Sequence, residues 1–328
     1  MIILADILSA TILFAVPLLL VALGGMFSER SGVINIALEG VMIVGALTSC
    51  LVLKAMDAVA FWPAHSQLGM LLAVLAAGAV GMLFSLLLAF ASINLKADQT
   101  IGGTALNMLA PAIAIVVTWA IQGQGQTTIL IPTWIRITQA DFGLEAADTF
   151  LQRLLFKSFY LTTPIAFLLL ILSWLVMYKT RLGLRLRACG EHPQAADAAG
   201  ISVYRMRYTG VLISGFLAGV GGFAFAIAAG SGFQATVAGY GFLALAVMIF
   251  GNWKPLPILG ASLFFAFFKI IGSYSASIPF LPTFSGVKSK EYIYQMLPYL
   301  VTMIVLVLTS KKSHAPKAEG IPYDKGQR

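Results

Sequence analysis

The sequence predicts an all-α, polytopic integral membrane protein. Of its 328 residues, 59% are hydrophobic and only 10% are charged, against about a quarter charged in a soluble domain. Its mean hydropathy is +0.91. Apolar runs of the length a helix needs to cross a bilayer core, roughly 20 residues, recur throughout.

These runs fall at 7–27, 33–53, 68–93, 100–121, 160–178, 208–230, 242–251, 258–273 and 293–309, so about nine transmembrane segments are expected. The first follows Asp6 with no basic stretch before it and reads as a retained span, not a cleaved signal. In the second, Asn35 and Glu39 are spaced i, i+4 and would share a helix face with Ala46 and Ser49. In the third, Ala73, Ala77, Gly81, Ser85 and Ala89 step by four, and in the sixth Gly215 and Gly219 form GxxxG, followed by Gly222. Such faces let helix backbones approach closely. The fourth carries Thr100, Thr104 and Asn107 after Asp98 and the Gly102-Gly103 pair, with Pro111 one turn later. The seventh run is too short to span as a helix. It must either extend into 238–240 or be re-entrant and shielded by protein. Lys269, toward the end of the eighth, has a stem long enough to snorkel to the headgroups.

Orientation follows from charge. Lys179, Arg181, Arg185, Arg187, Arg205 and Arg207 crowd one connection, and Lys311, Lys312, Lys317, Lys325 and Arg328 crowd the tail; both belong on the cytoplasmic side. Four segments separate them, so the two signals agree. Counting back five segments places the N-terminus outside, together with the stretch 122–159. There Arg136, Arg153 and Lys157 are partly balanced by Asp141, Glu145 and Asp148, and Trp134 suits the interface. The expected organisation is one plasma-membrane domain, 1–309, with a cytoplasmic loop at 179–207 and a polar cytoplasmic tail at 310–328. The net charge of +8 is explained by this loop bias, not by nucleic-acid binding.

Ionisable and amide groups inside a span face a cavity or a partner. Asn35 and Glu39 therefore form one candidate polar face on the route of a solute, and Thr104 with Asn107 a second, although Thr and Asn also bond across packed helices. Cys50 and Cys189 suggest no disulfide framework. His65, His192 and His314 lack metal-ligand spacing, so neither metal nor cofactor is expected. No GxxxxGK[ST] phosphate loop occurs, nor a nucleophile elbow or HExxH, so no catalytic residues are assigned and the chain is not expected to be an enzyme. In the basic loop, Pro193 suits a helix start and Gly200 its stop. A lone helix this short is unstable in water and needs something to dock on.

The stretch Ser28 to Gly40 (SERSGVINIALEG), the stretch Gly183 to Pro193 (GLRLRACGEHP) running on to Gly200-Ile201, and Gly215 to Gly222 (GFLAGVGG) resemble the signatures of nucleoside-type ABC importer permeases, relatives of the ribose and branched-chain amino acid permeases. Order and spacing match from Gly24 to about Pro257; Cys189 stands where a valine is common. The resemblance implies a nucleoside permease, or else a simple-sugar or branched-chain amino acid permease. A proton-coupled secondary transporter would need intramembrane carboxylates, for which Glu39 alone is thin support. The resemblance also implies that the segment holding Glu191, Pro193, Ala195, Ala198, Ala199 and Gly200 is the coupling helix, which rests in a groove of an ATP-binding subunit. Implied partners are two such subunits, a second homologous permease and an extracytoplasmic solute-binding protein.

Overall fold

A computed structural model describes residues 2–138, 141, 149–230, 232–274, 296, 300, 303, 304, 307 and 314–326. In chain order the helices are α1 (Ile2–Arg30), α2 (Leu38–Asp57), the one-turn α3 (Phe61–Ala64), α4 (Ser66–Ala89) continued by a π turn at Phe90–Asn94, α5 (Gln99–Gln122), α6 (Phe150–Phe156), α7 (Thr162–Lys179), α8 (Arg181–Glu191), α9 (Pro193–Ala198), α10 (Val203–Ala229), α11 (Tyr240–Phe250) and α12 (Pro255–Tyr274). Seven of these, α1, α2, α4 with its π turn, α5, α7, α10 and α12, are long and apolar enough to cross a membrane. Of the nine segments expected, the run 242–251 proves to be α11, an 11-residue helix about 16 Å long at 1.5 Å per residue, roughly half a bilayer core. It is entered through the non-helical stretch 232–239. The ninth run, 293–309, lies outside the described residues except at scattered positions.

The helix ends gather at two faces. At one face Arg30 pairs with Glu191 at 3.8 Å and donates to the Trp253 carbonyl, and Tyr208 donates to Asn94. At the other, Asp6 holds Lys157 at 2.6 Å and Arg153 at 3.5 Å, the Trp134 indole donates to Asp57 at 2.8 Å, and Ile129 pairs with Phe233 in an isolated antiparallel bridge. Consecutive long helices therefore run in alternating directions up to α10, whereas α10 and α12 run the same way because the half-length α11 returns the chain between them. Of the basic groups of the long loop, Arg153 and Lys157 are balanced by Asp6 of α1, while Arg136 donates to the Lys157 carbonyl; Glu145 and Asp148 lie outside the described residues, and Asp141 accepts from Thr138.

Packing explains the order of the layers. Lipid tails are as apolar as leucine, so helices in a bilayer associate through close contact rather than water expulsion. The small-residue faces read from the sequence meet each other: a Cβ added to Gly219 would lie 2.2 Å from the Ala77 carbonyl oxygen, and one added to Gly81 would lie 2.4 Å from that of Gly215. Helix α10 is thus wedged backbone to backbone against α4 and, through Gly222 and Met42, against α2. Its most apolar stretch is 83% buried, against 22% for α5. Helix α5 buries only Gln99, Gly103, Leu106, Ala110, Ala114 and Thr118 against the bundle, leaving a broad open flank. Asp98 caps it, accepting from Thr100 and Ile101, an arrangement worth about 1 kcal/mol.

Candidate functional site

Two interruptions of regular backbone meet inside the bundle. The first is 33–37, between α1 and α2, and the second is 232–239, before α11. Polar backbone away from water must be bonded, because each orphaned group costs several kcal/mol in hydrocarbon. In the first interruption side chains supply the bonds. Ser28 Oγ donates to the Val33 carbonyl at 2.7 Å, Gln99 Oε1 accepts from the Ile34 amide at 2.7 Å, Asn107 Nδ2 donates to the Ile36 carbonyl at 2.8 Å, and Asn107 Oδ1 accepts from the Gly40 amide at 2.8 Å. Asn35, fully buried, donates to Ser214 Oγ of α10 at 2.9 Å.

Glu39 joins the two interruptions. Its carboxylate oxygens accept from the amides of Gly239 at 2.8 Å and Gly241 at 2.7 Å, at the N-terminus of α11, where a negative charge is favoured by the helix dipole. Gly239 takes φ +78°, and a Cβ on Gly241 would stand 2.4 Å from the Glu39 amide nitrogen, so the two backbones touch here.

The apolar pattern predicts a second span that is helical from residue 33, with Asn35 and Glu39 on one helix face. Helix α2 instead starts at Leu38, so Asn35 lies in the irregular stretch before it and points to α10. Gly32, at φ +96°, and the hydrogen-bonded turn at Ser28–Gly32 stand just before that run, and bonds from Ser28, Gln99 and Asn107 hold its first residues out of the helix. Among the four route candidates the structure separates Asn35 and Glu39, which are buried, from Thr104, which is exposed on the open flank of α5, with Asn107 half-buried between them. Thr104 Oγ1 bonds back to the Thr100 carbonyl. Lys269 is half-buried, its ammonium 3.9 Å from the centroid of the Tyr240 ring and 5.6 Å from that of Phe14, a cation–π setting.

At the face where Arg30 meets Glu191, the basic loop forms two helices rather than one. Helix α8 ends at Glu191, His192 turns the chain, and α9 starts with Pro193 in its first turn. Glu191 therefore belongs to α8 and pairs with Arg30 instead of complementing the dipole of the short helix. Ala195, Ala198, Ala199 and Gly200 are exposed, whereas Pro193 and Ala196 are buried. Ala196 packs with Cys189, Val203 and Tyr323. Burial pushes the Cys189 thiol up to about 11.

Sequence reasoning missed the bracket formed by Glu29 and Trp253. Glu29, buried at the end of α1, accepts from the Trp253 indole at 2.5 Å and ties α1 to the turn between α11 and α12. A carboxylate at the end of a long apolar run was the available signal. Gln99 and Ser214, which complete the first interruption, carried none.

Residues 7–307 match the family described as branched-chain amino acid transport system / permease component. The chain is 42% identical to the guanosine ABC transporter permease protein NupQ of Bacillus subtilis, covering 99% of this chain and 98% of that one. It is 39% identical to the nucleoside ABC transporter permease protein NupC of Lactococcus lactis subsp. cremoris, covering 96% of each. No solved structure matches it. With a family match over nearly the whole length, and a helical bundle interrupted at two polar-bonded breaks, this chain belongs to the branched-chain amino acid transport system / permease component family.

Proposed function

We propose that this chain is the permease subunit of an ABC importer for nucleosides, forming half of a translocation pore with a second, related permease and driven by separate ATP-binding subunits, with solute delivered by an extracytoplasmic binding protein. The observation that carries the substrate class is the nearly full-length similarity to permeases named for guanosine and for nucleosides. The face bearing α8 and α9 is cytoplasmic, because Arg181, Arg185 and Arg205 are exposed there and clustered basic residues resist translocation.

The open flank of α5, with Thr104 and Asn107, borders the route. Asn35 and Glu39 stand behind it and hold the two irregular segments whose rearrangement admits the solute. Broken segments near the bilayer midplane are where transporters commonly place substrate. The exposed small face of Ala195, Ala198, Ala199 and Gly200, with Pro193 and Glu191 setting its entry, is the coupling contact for an ATP-binding subunit.

The test is ATP-driven uptake of labelled guanosine into vesicles holding the full complex, with unlabelled nucleoside, ribose and leucine as competitors. Competition by nucleosides alone is expected. Preferential competition by ribose or leucine would reassign the substrate, and uptake driven by a proton gradient without ATP would overturn the ABC reading.

A further inference from the structure

Residues 314–326 run across the face that carries α8 and α9. The His314 amide donates to Asn252 Oδ1 at 2.9 Å, the Ala318 amide to the Gly190 carbonyl at 2.8 Å and the Gly320 amide to the Gly32 carbonyl at 3.3 Å. The Glu319 carboxyl lies beside Glu29. Tyr323 is buried, meets Tyr204 edge to face at 5.6 Å and faces Asp197 of α9. Asp324 pairs with Lys96 at 2.7 Å; that pair is exposed and adds little. One short segment thus touches the ends of α1, α8, α9 and α10, the connection between α4 and α5, and the turn after α11.

The consequence falls on α9. Six residues cannot hold a helix in water by themselves, so α9 keeps its shape only through its buried side. That side is Pro193 and Ala196, the latter seated against Cys189, Val203 and Tyr323. Two of the three partners come from the flanking helices and the third, the largest, comes from the tail.

We propose that the C-terminal segment 314–326 is a strap that positions α9, so that force applied to its exposed alanine face is passed directly to the end of α1 as well as through α8. This rests on the coupling reading of α9 given above. Tyr323 is the positioning residue: its ring fills the seat beneath Ala196.

The chain carries its own reporter. Cys189 is fully covered, partly by Tyr323, and Cys50, also fully buried, lies in the helical core away from the strap. Maleimide labelling of the full chain in membranes, without ATP-binding subunits, is expected to be slow at both cysteines. In Tyr323→Ala, Cys189 should label on the order of tenfold faster while Cys50 stays protected, as expected for a local opening, and Tyr323→Phe should behave as the parent because the ring remains. A chain ending at residue 313 should match Tyr323→Ala. Unchanged Cys189 labelling in Tyr323→Ala would overturn the strap, and so would Tyr323→Phe labelling as fast as Tyr323→Ala. In the assembled complex, Tyr323→Ala should lower nucleoside uptake per ATP hydrolysed several-fold. An unchanged ratio in a chain whose Cys189 has become reactive would overturn the positioning role while leaving the coupling reading intact; that reading fails separately if substitutions on the exposed face of α9 have no effect.

Discussion

At the scale of single residues, two polar groups of the membrane interior are committed wholly to backbone. Asn107 spends both ends of its amide on Gly40 and Ile36, and Glu39 spends both oxygens on Gly239 and Gly241. Substitution therefore acts through orphaned partners. Glu39→Ala strips acceptors from two amides, at about 1–3 kcal/mol for each buried donor left unsatisfied, and thermal unfolding of the purified chain in detergent should register a clear drop. Thr104→Val is expected to leave unfolding unchanged, because its hydroxyl bonds only within its own helix. If Thr104 borders the route, the same variant lowers uptake. Normal uptake by Thr104→Val, with Glu39→Ala as stable as the parent, would remove both the route assignment and the bracing assignment.

At the scale of elements, two kinds of small-residue face look alike in sequence and behave oppositely. The face of α10 at Gly215 and Gly219 is closed against α4, whereas Ala195, Ala198 and Ala199 of α9 are open. Gly219→Leu must push apart two backbones already in contact. Overpacking of this kind costs typically 1–3 kcal/mol and often more, so the variant should accumulate poorly and fail to assemble. Ala199→Trp meets no neighbour within the chain; it should fold and melt like the parent yet abolish ATP-driven uptake by overfilling the docking contact. An Ala199→Trp complex that transports with its normal ratio of uptake to hydrolysis would exclude α9 as the coupling element. The closed seam was legible because residues stepping by four in one span matched GxxxG in another. Glycine patterns reveal helix contact without the partner's identity. The start of α2 was not legible: the apolar run begins at Val33, five residues before the helix, and only tertiary bonds from Ser28, Gln99 and Asn107 make a non-helical entry tolerable there. The half-length of α11 was readable from its ten apolar residues, but its anchoring by Glu39, two hundred residues away in sequence, was not.

At the scale of the whole molecule, the arrangement of faces is stronger than charge counting alone. The basic loop and the C-terminal segment were expected on one side from their Lys and Arg content. The structure joins them physically, through Ala318 to Gly190 and Tyr323 to Ala196 and Val203. The bridge between Ile129 and Phe233 and the Asp57–Trp134 bond close the opposite face. Sidedness can therefore be tested at three exposed positions, Ser202, Lys317 and Gln126, against a quiet background, since both native cysteines are fully buried. Cysteine introduced at Ser202 or at Lys317 should react with a membrane-impermeant reagent only after the cells are opened, because both lie on the face rich in Lys and Arg. Cysteine at Gln126 should react from outside intact cells. Ser202 and Lys317 reacting from opposite sides would break the fold described here, since the strap would then have to lie across the membrane from the loop it contacts. All three reacting with their sides exchanged would keep the fold and invert the chain, placing α9 where no ATP-binding subunit could reach it.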